Sequence, residues 1–181
     1  YTPKELRHHT DGIYSHDAPV LQMLLCVDYD ATGGASIMVD GFRIAAELKR
    51  TAPEIYEDLT RIDVTGAYMG DGVVLRAQRP IFRTDRDGAL VQVSFNNYDR
   101  DTVTLPKDEM RSLYAGIRAF DRLANDSRFQ WRYTLRPGDM LAFDNWRVLH
   151  GRGPFQGRRK MAGSYINRED YESAVRVNGL T

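Results

Sequence analysis

The chain has 181 residues, a length that suits one domain with a substantial hydrophobic core. Its 25 basic and 25 acidic residues give a formal charge of zero, which argues against binding to nucleic acid or membrane surfaces through a general basic excess. The single cysteine, Cys26, excludes an internal disulfide. It lies in an apolar run, where we expect a packed thiol and a reducing compartment.

The sequence begins at Tyr1 rather than at a start methionine, and a candidate metal motif follows within ten residues. A motif on a strand needs neighbouring strands to hold it. We therefore expect that upstream sequence is missing and that the chain is the C-terminal part of a larger protein.

Most apolar segments are short, rich in β-branched and aromatic residues, and separated by Gly, Asp and Pro, which is typical of strands. In chain order the predicted strands are 20–28, 35–39, 79–83, 90–95, 129–135, 140–143 and 161–166. Those over 20–28 and 140–143 are apolar enough to predict burial. Asp87-Gly88 predicts a hairpin turn between the strands over 79–83 and 90–95.

Helical spacing predicts three helices, over 42–50, 53–59 and 106–124. The last is the clearest because its apolar residues form one stripe. Strands with a few covering helices predict a distorted β-sandwich or barrel rather than an alternating parallel α/β fold.

The pair His9 and Asp11 is the first candidate for chemistry. Residues two apart on an extended strand point to the same face, so both side chains could bind one ion. Taken alone, this spacing is common, and a polar strand end is the plainer interpretation.

His150 follows an apolar strand and precedes Gly151, which predicts a strand end that can face a cavity. Two imidazoles and one carboxylate on one face of a metal leave the opposite face open for a co-substrate and O2, as in non-haem Fe(II) oxygenases. If His9, Asp11 and His150 converge in space, the chain is an oxidising enzyme. A zinc hydrolase could use the same three ligands.

Arg159 lies at the predicted start of the last strand. A 2-oxoacid co-substrate with a distal carboxylate needs a planar, permanently charged, bidentate donor, which arginine provides. Arg158 or Lys160 could be the inward residue instead, because strand alternation fixes parity but not phase. Ser36 could donate a hydroxyl to the same carboxylate, although alone it is only a turn serine.

Several aromatic residues could hold a quaternary ammonium group through cation–π attraction. The candidates are Tyr1, Tyr14, Tyr68, Trp146 and Tyr165. For any one of them, packing in the core is the plainer interpretation.

Asn96 and Asn97 follow a predicted strand. Adjacent carboxamides at a strand end could bind a carboxylate or amino group of a substrate, and an Asx turn is the alternative.

Eight landmarks occur in a characteristic order: His9-Thr10-Asp11, Gly33-Gly34-Ala35-Ser36, Val39-Asp40-Gly41-Phe42, Phe95-Asn96-Asn97-Tyr98-Asp99-Arg100, Pro137-Gly138-Asp139, Asp144-Asn145-Trp146-Arg147-Val148-Leu149-His150-Gly151-Arg152, Arg159, and Gly163-Ser164-Tyr165. Together they resemble the γ-butyrobetaine and trimethyllysine dioxygenases, within the TauD-like Fe(II)/2-oxoglutarate oxygenases, over nearly the whole chain. Ala35 departs from this pattern, since an acidic residue is frequent there in relatives.

The resemblance implies a mainly β fold with covering helices, namely a double-stranded β-helix of the jelly-roll, cupin-like type. Residues 1–181 would be the C-terminal portion of a single catalytic oxygenase domain. It also implies Fe(II) on His9, Asp11 and His150, and 2-oxoglutarate on the metal with its distal carboxylate on Arg159 and Ser36.

The implied reaction is hydroxylation of a small trimethylammonium-bearing acid, γ-butyrobetaine or trimethyllysine, with O2, giving succinate and CO2. Tyr1 and Tyr165 fall at the aromatic walls around the ammonium group, and Asn96 falls at a polar contact to the other end. Tyr14 is a further candidate for the substrate pocket. The alternatives are a TauD-like oxygenase acting on another small acid or amine and a non-catalytic cupin-like binding module.

The expected partner is a small-molecule substrate, with no nucleic acid and no membrane, and a homodimer is left open. The expected location is cytoplasmic. A mitochondrial location also stays open, because a targeting segment would lie before Tyr1.

Overall fold

The computed structural model describes residues 3–180, which form eleven strands, four helices and one short 3-10 turn. The strands are β1 (Leu6–His9), β2 (Leu21–Gly33), β3 (Ser36–Asp40), β4 (Asp63–Gly70), β5 (Val73–Pro80), β6 (Phe82–Thr84), β7 (Leu90–Val93), β8 (Gln130–Tyr133), β9 (Met140–Asp144), β10 (Val148–Arg152) and β11 (Phe155–Ile166). The helices are α1 (Gly41–Thr51), α2 (Pro53–Arg61), α3 (Lys107–Ala124) and α4 (Arg168–Val177).

Two antiparallel sheets position the site. The larger has the order β1-β10-β3-β8, and the smaller has the order β11-β2-β9. Two further pairs, β4-β5 and β6-β7, are hairpins. The two sheets approach each other where Phe143 on β9 packs on His150 of β10, with ring centroids 5.1 Å apart.

The main hydrophobic core lies between the larger sheet and helices α1, α2 and α3. Phe120 on α3 is fully buried, with its ring centroid 4.5 Å from that of Phe95 and 5.8 Å from that of Phe82. Truncation of such a side chain to alanine typically costs about 3–5 kcal/mol of folding free energy. Because Phe95 immediately precedes Asn96, this packing also fixes the start of a loop at the site.

The three predicted helices are confirmed, each with one or two residues of difference at its ends. Helix α1 begins where it does because the Asp40 carboxylate accepts hydrogen bonds from the backbone N–H groups of Phe42 and Arg43. Arg147 also forms an ion pair with Asp40 at 2.7 Å, which joins the helix start to the turn before β10.

The prediction of one strand over 79–83 was wrong. Arg79 and Pro80 end β5, which pairs with β4, whereas Phe82 starts β6, which pairs with β7. The β4–β5 hairpin was missed, although its turn carries a sequence signal. Asp71 and Gly72 have φ values of 50° and 76°, as a two-residue hairpin turn requires.

The predicted burial of the strands over 20–28 and 140–143 was also wrong in part. Cys26 is 1% exposed, as expected, but Val27 is 45% exposed and Met140 is 58% exposed. An antiparallel sheet can leave one face uncovered. In the described part of the chain, one face of β2 and β9 is uncovered in this way.

Helix α4 was missed as well. It begins where the Asn167 side chain accepts from the backbone N–H of Asp170, and none of its residues is buried. Within residues 3–180, no helix is both long and apolar enough to cross a lipid bilayer.

Candidate metal centre

His9, Asp11 and His150 converge at the junction of β1 and β10. The two strands are antiparallel, with His9 directly opposite His150. The His9 Nε2 atom lies 3.3 Å from Asp11 Oδ1, and His150 Nε2 lies 3.6 Å from Asp11 Oδ2. One ligand atom from each residue lies within 4.8 Å of the other two, a spacing that one ion can bridge.

The convergence does not arise in the way the two-residue spacing predicts. Strand β1 ends at His9, so Asp11 is not on an extended strand, and His150 lies in the middle of β10 rather than at a strand end. Thr10 turns the chain, because its backbone N–H donates to Phe95 O at 2.8 Å and its Oγ1 accepts from Phe95 N–H at 3.0 Å.

His9 is oriented by a backbone carbonyl. Its Nδ1 lies 2.7 Å from Arg7 O, so we assign the ring proton to Nδ1. The lone pair of Nε2 then faces Asp11, which is the tautomer that a metal ligand needs.

Asn145 fixes the backbone of Asp11. Its Oδ1 accepts from the Asp11 backbone N–H at 2.8 Å, and its Nδ2 donates to the carbonyls of Asp11 and Pro19 at 3.0 and 2.9 Å. Asn145 is 1% exposed. Asn145 lies five residues before His150 in the chain, so it links the segment that leads into β10 to the Asp11 backbone.

The electrostatics of the site favour metal-binding protonation states. Burial alone would raise the pKa of Asp11, but the nearby His9 and His150 and the hydrogen bond from the Tyr165 hydroxyl outweigh it and lower this pKa to about 2. Burial, and then the nearby His9, lowers the pKa of His150 to about 4. At neutral pH the site therefore holds a carboxylate and a neutral His150 ring.

Arg159 is the inward basic residue of β11. Arg158 is largely exposed and forms an ion pair with Asp28 at 2.7 Å, and Lys160 is exposed, whereas Arg159 is half-buried opposite Tyr29 of β2. The structure therefore shows which of the three basic residues is inward, a choice that strand alternation left open. Burial, and then the charge of Arg152, lowers the pKa of Arg159.

The Arg159 side chain lies beside the turn that contains Gly34. Gly34 has a φ of 71°, and a Cβ at this position would lie 3.5 Å from Arg159 Cδ. Ser36, two residues further on, is 4% exposed and begins β3. Arg159 and Ser36 thus flank the same turn, and their joint contact with a carboxylate stays a prediction.

The residues predicted to contact substrate fall into different settings. Tyr1 lies outside the described residues. The Tyr165 hydroxyl donates to Asp11 Oδ2 at 3.1 Å, and the Tyr14 ring packs on Tyr68 with centroids 5.3 Å apart. None of these contacts tests substrate binding, but they place Tyr165 directly beside a candidate ligand.

Asn96 forms an Asx turn, which is the alternative that its sequence also allows. Its Oδ1 accepts from the Tyr98 backbone N–H at 2.8 Å, and its Nδ2 donates to Asp99 Oδ2 at 2.7 Å. Both ends of the carboxamide are therefore engaged within the loop, and its contact with substrate stays a prediction.

Tyr98 and Gln22 are residues of the site that sequence reasoning missed. Tyr98 packs edge-on against His9 with centroids 6.1 Å apart, and its hydroxyl accepts from the Arg7 backbone N–H at 2.9 Å. Gln22 is 1% exposed, and its Nε2 donates to the Tyr165 hydroxyl at 3.4 Å. The polar Gln22 inside an apolar strand is a signal that could have been noticed.

Two solved structures share the fold. An asparagine oxygenase in complex with Fe(II), 2S,3S-3-hydroxyasparagine and succinate superposes with a TM-score of 0.72 and 20% identity, covering 91% of this chain and 50% of that chain. PvcB, an Fe, α-ketoglutarate-dependent oxygenase from an isonitrile synthetic pathway, gives a TM-score of 0.66 and 22% identity over 94% and 60% of the two chains. These likenesses confirm the predicted double-stranded β-helix.

Sequence relatives are closer. A trimethyllysine dioxygenase of Meyerozyma guilliermondii is 38% identical over 98% of this chain and 46% of the relative. The γ-butyrobetaine dioxygenase of Homo sapiens is 33% identical over 98% of this chain and 48% of the relative. The chain thus spans about half the length of these relatives. A family model described as "Taurine catabolism dioxygenase TauD, TfdA family" matches residues 1–165, and the chain therefore belongs to this family.

Proposed function

We propose that this chain carries the active site of an Fe(II)- and 2-oxoglutarate-dependent hydroxylase of a small trimethylammonium-bearing acid. The observation that carries the proposal is the cluster of His9, Asp11 and His150, combined with Arg159 on the facing sheet. Two nitrogens and one carboxylate oxygen are the donor set typical of non-haem Fe(II).

Each proposed ligand has a support of its own. The Arg7 carbonyl holds the His9 ring, Asn145 holds the Asp11 backbone, and the Phe143 ring packs on His150. Such supports keep the ligands in place before a metal arrives, which reduces the cost of binding it. When bound, Fe(II) and 2-oxoglutarate would supply oxidative decarboxylation coupled to hydroxylation of a C–H bond by O2.

Arg159 would bind the distal carboxylate of the co-substrate. Its guanidinium can form two parallel hydrogen bonds to a carboxylate, and it forms no ion pair with an acidic residue in the described part of the chain. Partial burial strengthens such a pair, because water screens it less. Ser36 adds a hydroxyl from the other side of the Gly34 turn.

The substrate would be recognised at both of its ends. The rings of Tyr14 and Tyr165 offer π faces to a quaternary ammonium group, and Tyr1 would add a third. Asn96 lies in the loop where a polar end could bind. The two sequence relatives are named for trimethyllysine and γ-butyrobetaine, which supports this class of substrate.

The test is succinate formation by the complete protein with Fe(II), 2-oxoglutarate and O2. We expect γ-butyrobetaine or trimethyllysine to stimulate it, and the unmethylated analogues γ-aminobutyrate and lysine to do so far less. Equal stimulation by methylated and unmethylated compounds would contradict the ammonium specificity. Turnover only with another small acid or amine would favour that alternative, and no turnover with any of them would favour a binding module.

A reducing compartment, cytoplasmic or mitochondrial, is part of this proposal. It is supported by the one cysteine of the chain, Cys26, which is buried and free. The oligomeric state stays a prediction, to be measured by light scattering.

A further inference from the structure

A small cavity lies under the loop that carries Asn96. Its volume is about 10 Å³, which suits one occupant of about the size of water. Two arginines, Arg79 and Arg100, line it together with Ser94, Asn96 and Asn97, and its remaining lining residues are apolar. None of the lining residues is acidic.

The two arginines bring positive charge that the described residues do not balance. Arg100 Nη1 is buried and has no hydrogen-bond partner within residues 3–180. Arg79 is 8% exposed, and its Nη2 donates to the carbonyl of Ser15. Neither forms an ion pair with a carboxylate in the described part of the chain.

The surroundings increase this imbalance. Burial, and then the charge of Arg83, lowers the pKa of Arg79. Arg83 itself lies over the Trp146 ring at 4.6 Å and also lacks an acidic partner among the described residues. A buried charge without a counter-charge is costly, so a native site of this kind is expected to hold an anion.

We propose that this cavity binds a monatomic anion of the halide class, which is chloride under ordinary conditions. Arg100 Nη1 would donate one hydrogen bond, and the Ser94 hydroxyl and the Asn97 amide could donate others. The size of the cavity excludes sulfate, phosphate and the carboxylate of a substrate. The proposal does not depend on the hydroxylase activity, because it concerns a different set of residues.

Occupancy would stabilise the loop beside the metal centre. Arg100 is joined to Gly66 of β4 by a bridge, and Asn96 forms the Asx turn that places Tyr98 against His9. An anion between Arg79 of β5 and Arg100 would therefore tie this loop to the β4–β5 hairpin.

The first test is thermal unfolding of the complete protein in sodium chloride and in sodium gluconate at equal ionic strength. At a chloride concentration ten times its Kd, we expect the unfolding midpoint to rise by about 3–6 °C relative to gluconate. Arg100→Gln should abolish the difference between the salts. Arg118→Gln, which removes an exposed charge from α3, should retain it.

The second test does not depend on the stability of a variant. Crystals of the wild-type protein grown in bromide should show an anomalous peak between Arg79 and Arg100. A cavity that holds only water in bromide, or equal unfolding midpoints in the two salts, would overturn the proposal. So would an Arg100→Gln protein that keeps the full chloride dependence.

Discussion

Asp11, in the candidate metal centre, and Arg159, on the facing sheet, are held in different ways. The Asp11 backbone N–H donates to Asn145 Oδ1, Asn145 Nδ2 donates to the Asp11 carbonyl, and the Tyr165 hydroxyl donates to the Asp11 carboxylate. Arg159 lies beside the Gly34 turn and has no ion pair with the described residues. The cluster of His9, Asp11 and His150, the candidate metal end of the site, is therefore organised in advance, whereas Arg159 keeps its charge available for a ligand.

The largest expected effect is at the metal end. His150→Ala should lower the affinity for Fe(II), or for Co(II) as a spectroscopic probe, by more than about 100-fold, because loss of a direct ligand should exceed the effect of losing a support around it. Metal titration followed by the Co(II) absorption spectrum measures this loss, and succinate formation should fall with it.

His16→Ala is the matched control, since His16 is exposed and lies outside the cluster. It should bind metal as the wild type does. Unchanged metal affinity in His150→Ala would show that these three residues do not form the metal site.

Arg158 and Arg159 are adjacent in sequence but differ in exposure, so variants of the two test the proposed role of Arg159. Arg159→Gln should raise the KM for 2-oxoglutarate by about 10–100-fold, because it removes a charge-assisted, bidentate contact. Arg158→Gln should change that KM by less than about twofold, because Arg158 is exposed and paired with Asp28. Metal affinity should be unchanged in both, which separates the two ends of the site. Similar KM values in the two variants would refute the assignment of Arg159.

The burial of His150 predicts how stability depends on pH in the metal-free protein. Its pKa is about 4 in the folded state, against 6.5 for an exposed histidine, so the unfolded chain binds more protons between these values. Stability should therefore fall as pH falls from 6.5, by about 2 kcal/mol at pH 5. Asp11 adds nothing in this window, because its lowered pKa matters only below about pH 4.

Urea unfolding at several pH values measures this slope. His8 should contribute with the same sign, because burial also lowers its pKa. His150→Asn should reduce the slope, whereas His16→Asn should leave it as it is. A His150→Asn protein with the wild-type slope would show that His150 is not the titrating group.

The sequence predicted the convergence of three candidate ligands better than the contacts around them, for a physical reason. His9, Asp11 and His150 are few, chemically distinctive and set in short motifs. The Arg7 carbonyl that holds the His9 ring is local, but other contacts around the cluster join distant residues: Asn145 is 134 residues from Asp11, and Tyr98 is 91 residues from Arg7. No local pattern records such a contact.

The same difference between local patterns and distant contacts applies to the secondary structure. Helices such as α3 are predicted by periodicity within one segment, whereas β5 and β6 are separated by a change of pairing partner that only the folded sheet defines. Strand alternation likewise puts Arg158 and Lys160 on one face of β11 and Arg159 on the other, but it could not predict which face points inward. The choice depends on what covers each face of the sheet.

Tyr165 has two proposed roles, because its hydroxyl contacts the candidate ligand Asp11 while its ring is proposed to face the substrate. Tyr165→Phe removes the hydroxyl alone and should lower metal affinity by about 2–10-fold, the value of one net hydrogen bond. The KM for substrate should stay nearly constant, because the π face remains. Tyr165→Leu should lower metal affinity equally and should also raise the KM for substrate by about 2–30-fold, through loss of the cation–π contact. If instead Phe and Leu raise that KM equally, the hydroxyl rather than the ring contacts the substrate, and Tyr165 does not form an aromatic wall.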